Sequence, residues 1–367
     1  MTNAFLILSI CLLAVSFALS AALTALVRKR SLKTGFVAKP AEDRYHDSII
    51  PLGGGVAIFW TIALILLAGI AVVKFVIAPG VLDFLPEGVT QHAEGFLTKT
   101  SALLIVIAAC FALHLVGLID DKKHLGPFFK LAVQIAVAII AAVFADIRVE
   151  FFIENRIVTT TLSVLWMVLI MNAFNFLDNM DGLSAGIALI ISAVLFTAAV
   201  MAGQVFVGAL GLIFIGTLLG FLAFNFPPAA IFMGDSGSLV VGFFVALLTI
   251  RTTYYHEALS GGLYPIFMPL IVMAVPLYDF LSVTFLRISR GKSPFVGDTQ
   301  HFSHRLKKRG LTDTQTVLTL YLATLCTGLG AIFLYQVNLT GAILIFLQTV
   351  MILTIVAILE TTTNNKE

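Results

Sequence analysis

"MNAFNFLDNMDGLSAG", residues 171–186, closes one apolar run (157–177) and opens the next (182–202). Between them Asn172, Asn175, Asp178 and Asp181 stand three residues apart until Gly182 breaks the pattern. On an α-helix each such step turns about 300°, so neighbours touch while the row drifts by about 60° per step. Four groups then cannot share one face. Either the last turn tightens toward a 3₁₀ helix, where i and i+3 eclipse, or the helix stops near Asp178 and a loop carries Asp181 back. Both arrangements gather oxygen ligands at the junction of two apolar helices.

The same alternation of apolar run and polar junction covers the chain. Of its 367 residues 59% are hydrophobic and 11% charged, with a mean hydropathy of +1.04; a soluble domain carries about 25% charged residues. Apolar stretches fall at 3–27, 49–73, 100–119, 127–147, 157–177, 182–202, 205–225, 237–251, 263–287, 314–335 and 341–360, the eighth being short. At about 20 residues per crossing these are about eleven spans. Backbone polar groups in lipid must be satisfied within helices. The expected fold is therefore an all-α integral membrane protein, one polytopic bundle of about eleven transmembrane helices over residues 1–367.

No basic residue precedes the first apolar run and "VRKRSLK" (27–33) follows it, so it reads as an anchor with its N-terminus outside rather than a secretory leader. Six Lys and Arg lie in 28–47, three in 122–130 and seven in 287–309, whereas the opposite segments hold only Lys74, Lys99, Arg148, Arg156 and Arg251. The positive-inside rule makes 28–48, 120–127, 178–182, 226–237 and 288–313 cytoplasmic loops, together with the C-terminal tail. Cys11, Cys110 and Cys326 lie inside apolar runs without metal-like spacing and read as packing residues.

The acids fall on that same side. Asp120 and Asp121 close the third run, Asp178 and Asp181 the fifth, Asn225 the seventh, and Asp235 precedes the eighth in "FMGDSGSL". A single acid at a helix end is ordinarily a cap or a solvated terminus. Five together are less easily dismissed, because the loops holding Asp178, Asp181 and Asp235 contain no Lys or Arg. Uncompensated carboxylates with Asn suit Mg²⁺, with Mn²⁺ as the alternative, rather than zinc. The glycines flanking Asp235 lead into a helix whose first N–H groups could hold a phosphate oxygen. His301, His304 and Arg305 lie in the basic loop "DTQHFSHRLKKRG", where His301 could share a helical face with His304 or Arg305. A metal, a phosphate-sized nest and a basic loop point to phosphoryl chemistry beside the membrane, with a lipid partner and no nucleic acid.

The chain resembles the polyprenyl-phosphate N-acetylhexosamine-1-phosphate transferases, glycosyltransferase family 4, through "KPAEDRYHDSIIPLGGGVAI" (39–58), "DDKKHLGP" (120–127), "NAFNFLDNMDGLSAG" (172–186), "FNFPPAAIFMGDSGSLVVG" (224–242) and "VPLYDFLSVTFLRISRGKSPFVGDTQHFSHRL" (275–306). The resemblance implies an Mg²⁺-dependent enzyme of the bacterial inner membrane with its active site in the cytoplasm. It would transfer a sugar-1-phosphate from a UDP-N-acetylhexosamine to undecaprenyl phosphate, releasing UMP and opening cell-envelope glycan synthesis such as lipopolysaccharide or teichoic acid. By motif position Asp120 and Asp121 would lie at the lipid phosphate, Asp178 and Asp235 at the metal and diphosphate, and Asn225 near the nucleotide. His301, His304 and Arg305 would close on the sugar nucleotide, and His46 matches a histidine ahead of the paired glycines. Asp181 and His301 join the catalytic set, and Asn175 joins the substrate-binding set. Ala38 stands where the family has Asp, Tyr45 sits beside Arg44 near the family's basic position, and Ser303 replaces a histidine. UDP-GlcNAc ranks first as donor, being the commonest in the resembling enzymes, with its C4 epimer and other UDP-N-acetyl sugars left open, as is a homodimer.

A polyprenyl monophosphate, with a second pKa of roughly 6, needs little help from a base. Asp120 accordingly reads as a positioner or ligand before it reads as an obligatory base. A transporter remains the main rival, with Asp279 inside the ninth run as its candidate ionisable residue; transporters, however, site their residues near the midplane. A polyprenyl-diphosphate phosphatase is the second rival, and a non-catalytic scaffold has no use for so many acids.

Overall fold

The computed structural model describes residues 3–38, 49–81, 90–149, 153–254, 262–293 and 301–361. The helices are α1 (Asn3–Thr34), α2 (Gly54–Val72), α3 (Ala93–Thr98), α4 (Thr100–Lys123), α5 (Pro127–Phe144), α6 (Arg156–Leu177) and α7 (Leu183–Met201). They continue as α8 (Val205–Asn225), α9 (Asp235–Arg251), α10 (Met268–Val272), α11 (Ala274–Ser289), α12 (Phe302–Lys308), α13 (Asp313–Phe333) and α14 (Leu339–Thr361). Two two-residue strands, β1 (Val37–Ala38) and β2 (Ile50–Pro51), pair antiparallel beside the end of α1. The protein is an all-α polytopic membrane protein.

Each of the eleven apolar runs carries a helix. Among the described residues nine helices are long and apolar enough to cross a bilayer. A tenth span is the bent pair Tyr264–Val272 and Ala274–Ser289, kinked by 61°. Pro276 explains the kink, because it has no N–H to offer the carbonyl four residues back. The remaining run, the eighth, carries α9, which has only 17 residues, every one from Ser236 to Thr249 buried. A helix apolar on all sides belongs in the middle of a bundle. Its neighbours are α2, α4, α6, α7 and α8.

Without a hydrophobic drive between helices in lipid, close approach depends on small residues. Along α8, Gly216 and Gly220 let α1 lie backbone to backbone; a Cβ on Gly220 would stand 2.5 Å from the Phe17 carbonyl oxygen. Ser20 Oγ donates to the Thr217 carbonyl at 2.7 Å across the same seam. The start of α9 is crowded in the same way by α2 and α4, and the end of α6 by α9: Cβ atoms on Gly55, Gly117 and Gly242 would come within 2.2 to 2.6 Å of the Gly237 nitrogen, the Asp235 carbonyl and the Met171 Cα. Gly55 and Gly117 bring α2 and α4 against the first turn of α9, where the acids meet, and Gly242 lets α6 in two turns further along.

Candidate active site

The junction at 171–186 adopts the second of its two expected forms. α6 stops at Leu177, Asp178 is its C-cap at φ −78°, and Gly182, at φ 71°, starts α7 in the left-handed conformation that glycine tolerates. The four polar residues part company as the helical drift requires. Asn172 Nδ2 donates to Gln134 Oε1 of α5 at 2.6 Å, away from the acids. Asn175 Nδ2 donates to Asp235 Oδ1 at 3.0 Å and to Ser238 Oγ at 2.9 Å. Asp178 takes a hydrogen bond from the Gly234 backbone. Asp181 Oδ2 accepts from the Ala229 N–H at 2.8 Å.

The glycine-flanked turn before α9 does not leave an open phosphate nest. Asp121, reaching over from α4, accepts from the Asp235 N–H at 2.8 Å through Oδ1 and from the Ser236 N–H at 3.3 Å through Oδ2. The next two N–H groups, of Gly237 and Ser238, go to the Gly234 carbonyl. A carboxylate from another helix thus caps α9 and fills the anion position that the sequence suggested for a phosphate.

A second correction concerns compensation. Asp235 has a basic partner, supplied by another helix: Lys130 Nζ of α5 donates at 2.9 Å to Asp235 Oδ2 and at 2.9 Å to Asp120 Oδ2. Asp120 is buried and also accepts the Leu125 N–H at 2.6 Å. Read from the sequence, Lys130 was one of the inside-loop cations; ten residues beyond Asp120, across the Gly126–Pro127 break, nothing marked it as a site residue. His114, within the third run, was missed for the same reason; its Nδ1 lies 3.1 Å from the Ser236 carbonyl.

Lys130 does not neutralise the whole cluster. Desolvation, then the Asp235 and Asp121 carboxylates, push the Asp178 carboxyl well above the usual carboxylate range. Such like-charge crowding is relieved by a cation. Among the described residues no three His, Cys, Asp or Glu side chains form a closed metal cage. Mg²⁺ ordinarily uses one or two carboxylates and completes its shell with water and substrate phosphates. Asp178 and Asp235, with the Asn175 amide beside them, fit an open site of that kind.

Asn225 is buried and ties the loops together: its Oδ1 accepts the Gly182 N–H at 3.1 Å and its Nδ2 donates to the Ile231 carbonyl at 2.9 Å. The histidine segment is anchored to the same end. Asp279 accepts from the Phe302 N–H at 3.0 Å and pairs with His301 Nδ1 at 2.9 Å. With Nδ1 so engaged, Nε2 is the ring nitrogen that Asp279 does not hold. Its ring meets the edge of Phe176, whose face carries the buried Arg287 guanidinium at 4.9 Å. Asp279, the ionisable residue a transporter would have used, is a clamp on this loop. Ser303 Oγ donates to Asn179 Oδ1 at 2.7 Å, joining the histidine helix α12 to the 178–182 loop. His304 is driven down to about 4 by burial and by the neighbouring His301, so it is neutral at pH 7. Arg305 leans away from the acids: Nη2 binds both carboxylate oxygens of Glu360, in the last turn of α14, at 3.0 Å and Ser282 Oγ at 3.0 Å. Tyr278 Oη donates to Glu360 Oε1 at 2.6 Å. His46 lies outside the described residues.

The sequence is similar to that of a Bacillus subtilis protein described as a probable undecaprenyl-phosphate N-acetylglucosaminyl 1-phosphate transferase. The two are 32% identical over 352 residues, 94% of this chain and 90% of that protein. Residues 103–253 match the model of glycosyl transferase family 4. The chain belongs to this family. The match runs from within α4 to just beyond α9, and so contains Asp120, Asp121, Lys130, Asp178, Asp181 and Asp235. Other relatives are the Mycobacterium tuberculosis H37Rv decaprenyl-phosphate N-acetylglucosaminephosphotransferase, 29% identical over 81% of this chain and 75% of its own length. The Escherichia coli K12 undecaprenyl-phosphate alpha-N-acetylglucosaminyl 1-phosphate transferase is 27% identical over 84% and 79%. Family membership makes the aspartate end of the bundle the candidate centre of a transferase.

Proposed function

We propose that the protein transfers N-acetylglucosamine 1-phosphate from UDP-N-acetylglucosamine to undecaprenyl phosphate, releasing UMP, on the cytoplasmic face of a bacterial inner membrane. The observation that carries this reading is the convergence of Asp120, Asp178, Asp235 and Lys130 from four helices at one end of the bundle, in a chain whose relatives carry the names given above. The positive-inside asymmetry supports a cytoplasmic position for that end and an outside N-terminus.

An oxygen of the lipid phosphate attacks the sugar-bearing phosphorus of the donor; one phosphoanhydride breaks, another forms, and UMP leaves. The attacking oxygen is already anionic, so the chain's task is to bring two anions together and hold them in line. Lys130 supplies fixed positive charge between Asp120 and Asp235. Asp121 keeps the start of α9 rigid, and Asn175 orients Asp235. His301, its Nδ1 occupied by Asp279, offers Nε2 to the donor, and neutral His304 offers hydrogen bonding without charge. Asp178 and Asp235 would hold Mg²⁺, which when bound lowers the charge repulsion between the phosphates.

The test is direct. Purified protein with undecaprenyl phosphate and Mg²⁺ is offered a panel of UDP-sugars, with UMP and labelled lipid as readouts. Formation of lipid-linked GlcNAc diphosphate, reversed by added UMP, is expected; turnover of another sugar alone would reassign the donor. Phosphate release from undecaprenyl diphosphate without nucleotide would favour the phosphatase.

A further inference from the structure

The far end of α9 borders a cavity with a different chemistry. Its last residues, Leu247 to Arg251, line a chamber of about 970 Å³ closed by the ends of α4, α5, α6, α8 and α10. At 1.5 Å per residue its mouth lies about 25 Å along α9 from Asp235, so it is no part of the aspartate site. The inner wall is apolar, built from Leu103, Val106, Leu162, Trp166, Leu210 and Leu247. The mouth is charged, with Lys99, Arg148 and Arg251 against one carboxylate among the described residues, Asp146.

That mouth is constructed. Asp146 sits in the left-handed region at φ 53°; there its carboxylate accepts from Arg148 Nε at 2.8 Å and its carbonyl from Arg251 Nη1 at 3.3 Å. Arg148 Nη1 also reaches Thr159 Oγ1 at 3.2 Å. Gln204 fixes the turn after α9, donating to the Arg251 carbonyl at 3.1 Å and accepting from the Thr253 N–H at 2.7 Å. Asp146 thus orients two guanidinium groups, Arg148 through its carboxylate and Arg251 through its backbone carbonyl, and the described residues leave the rim net cationic.

The geometry points to a binding site for one anionic phospholipid of the leaflet opposite the active site, its phosphate among Lys99, Arg148 and Arg251 and an acyl chain against the apolar wall. A free anion would leave the wall unfilled, and a neutral lipid would leave the rim charges uncompensated. The volume lies at the upper end of the ~300–1,000 Å³ typical of ligand pockets, and the charges stand at helix ends, the depth of lipid headgroups. The acceptor lipid is excluded as occupant, because its phosphate must reach the aspartates at the other end.

The experiment uses full-length protein, delipidated in detergent and titrated with phosphatidylglycerol or phosphatidylcholine. Native mass spectrometry counts retained lipid, and thermal unfolding reports stabilisation. One phosphatidylglycerol should be retained in preference to phosphatidylcholine, with a rise in Tm specific to the anionic lipid. Lys99→Gln with Arg251→Gln should weaken that retention at least tenfold, and Ala102→Trp, which fills the cavity while keeping the rim charges, should abolish it. Basal turnover of Lys99→Gln in phosphatidylcholine should match that of the unaltered protein. Equal retention of the two lipids, or undiminished phosphatidylglycerol binding in Ala102→Trp, would overturn the assignment; because Ala102→Trp keeps every charge, this holds even where the double variant fails to fold.

Discussion

Replacing Lys130 by Met is the sharpest test of how the aspartate end works. Lys130 Nζ makes two bonds of 2.9 Å, to Asp120 and to Asp235, and its side chain is only 22% exposed. Each charge-assisted bond is worth about 1.5–3 kcal/mol. Solvent at the half-open site recovers part of that, so a net loss of roughly 2–4 kcal/mol in transition-state stabilisation follows, about 30- to 1,000-fold in kcat/KM. A second effect runs the other way. Lys130 and a divalent cation compete to neutralise Asp235, so the variant should bind Mg²⁺ more tightly while turning over more slowly. The assay is UMP release against Mg²⁺ concentration, with Tm measured alongside to certify the fold, and Lys130→Arg as the variant that keeps charge. Turnover within threefold of the unaltered protein, or a slow variant whose Mg²⁺ requirement rises instead of falling, would refute the idea that Lys130 is a fixed cation sharing Asp235 with the metal.

Glu360→Gln removes the carboxylate that pins Arg305 of α12 to α14; stability should fall by about 1.5–3 kcal/mol, the scale of a lost charged hydrogen bond, read as a lower Tm, with partial recovery in Glu360→Asp and little further loss when Arg305→Gln is added. Gly117→Ala places a Cβ 2.4 Å from the Asp235 carbonyl, a backbone clash that should cost about 1–3 kcal/mol or more of stability and displace Asp235, read as a lower Tm together with lost turnover. His304, with a folded pKa of about 4 against an ordinary 6.5, contributes stability that is complete above pH 6.5 and is lost as pH falls through 4; Tm measured across that window should drop less steeply in His304→Gln.

The helices were legible because the bilayer imposes one rule on every segment, and each apolar run became helical, the ninth as a bent pair and the eighth as the short, central α9. The clustering of the acids was legible too, since Asp120, Asp178 and Asp235 all stand at run ends on the Lys- and Arg-rich side. Their division of labour was not. Asp120 and Asp121 are adjacent letters, yet a helix points them about 100° apart, one toward Lys130 and the other onto the N-terminus of α9. Lys130 looked like one more topology lysine because its partners are 10 and 105 residues away. Glu360 lay at the end of a run whose only apparent task was to cross the membrane.

The paired glycines at 54–55 and the lone Gly117 belong to the same account. In the sequence they read as a motif and as a neutral member of an apolar run. In the fold Gly55 and Gly117 are the two surfaces pressed against the first turn of α9, and the Gly54 and Gly55 N–H groups donate to the Phe232 and Met233 carbonyls at 2.9 and 3.0 Å. The turn carrying Asp235 is therefore held by backbone on two sides before any side chain touches it. Asp121 then caps the helix, Asn175 fixes one carboxylate oxygen, and Lys130 takes the other. On the proposed function, a carboxylate immobilised in this way would lose little conformational freedom when phosphates and a cation arrive, which is what electrostatic catalysis between two anions demands of its scaffold.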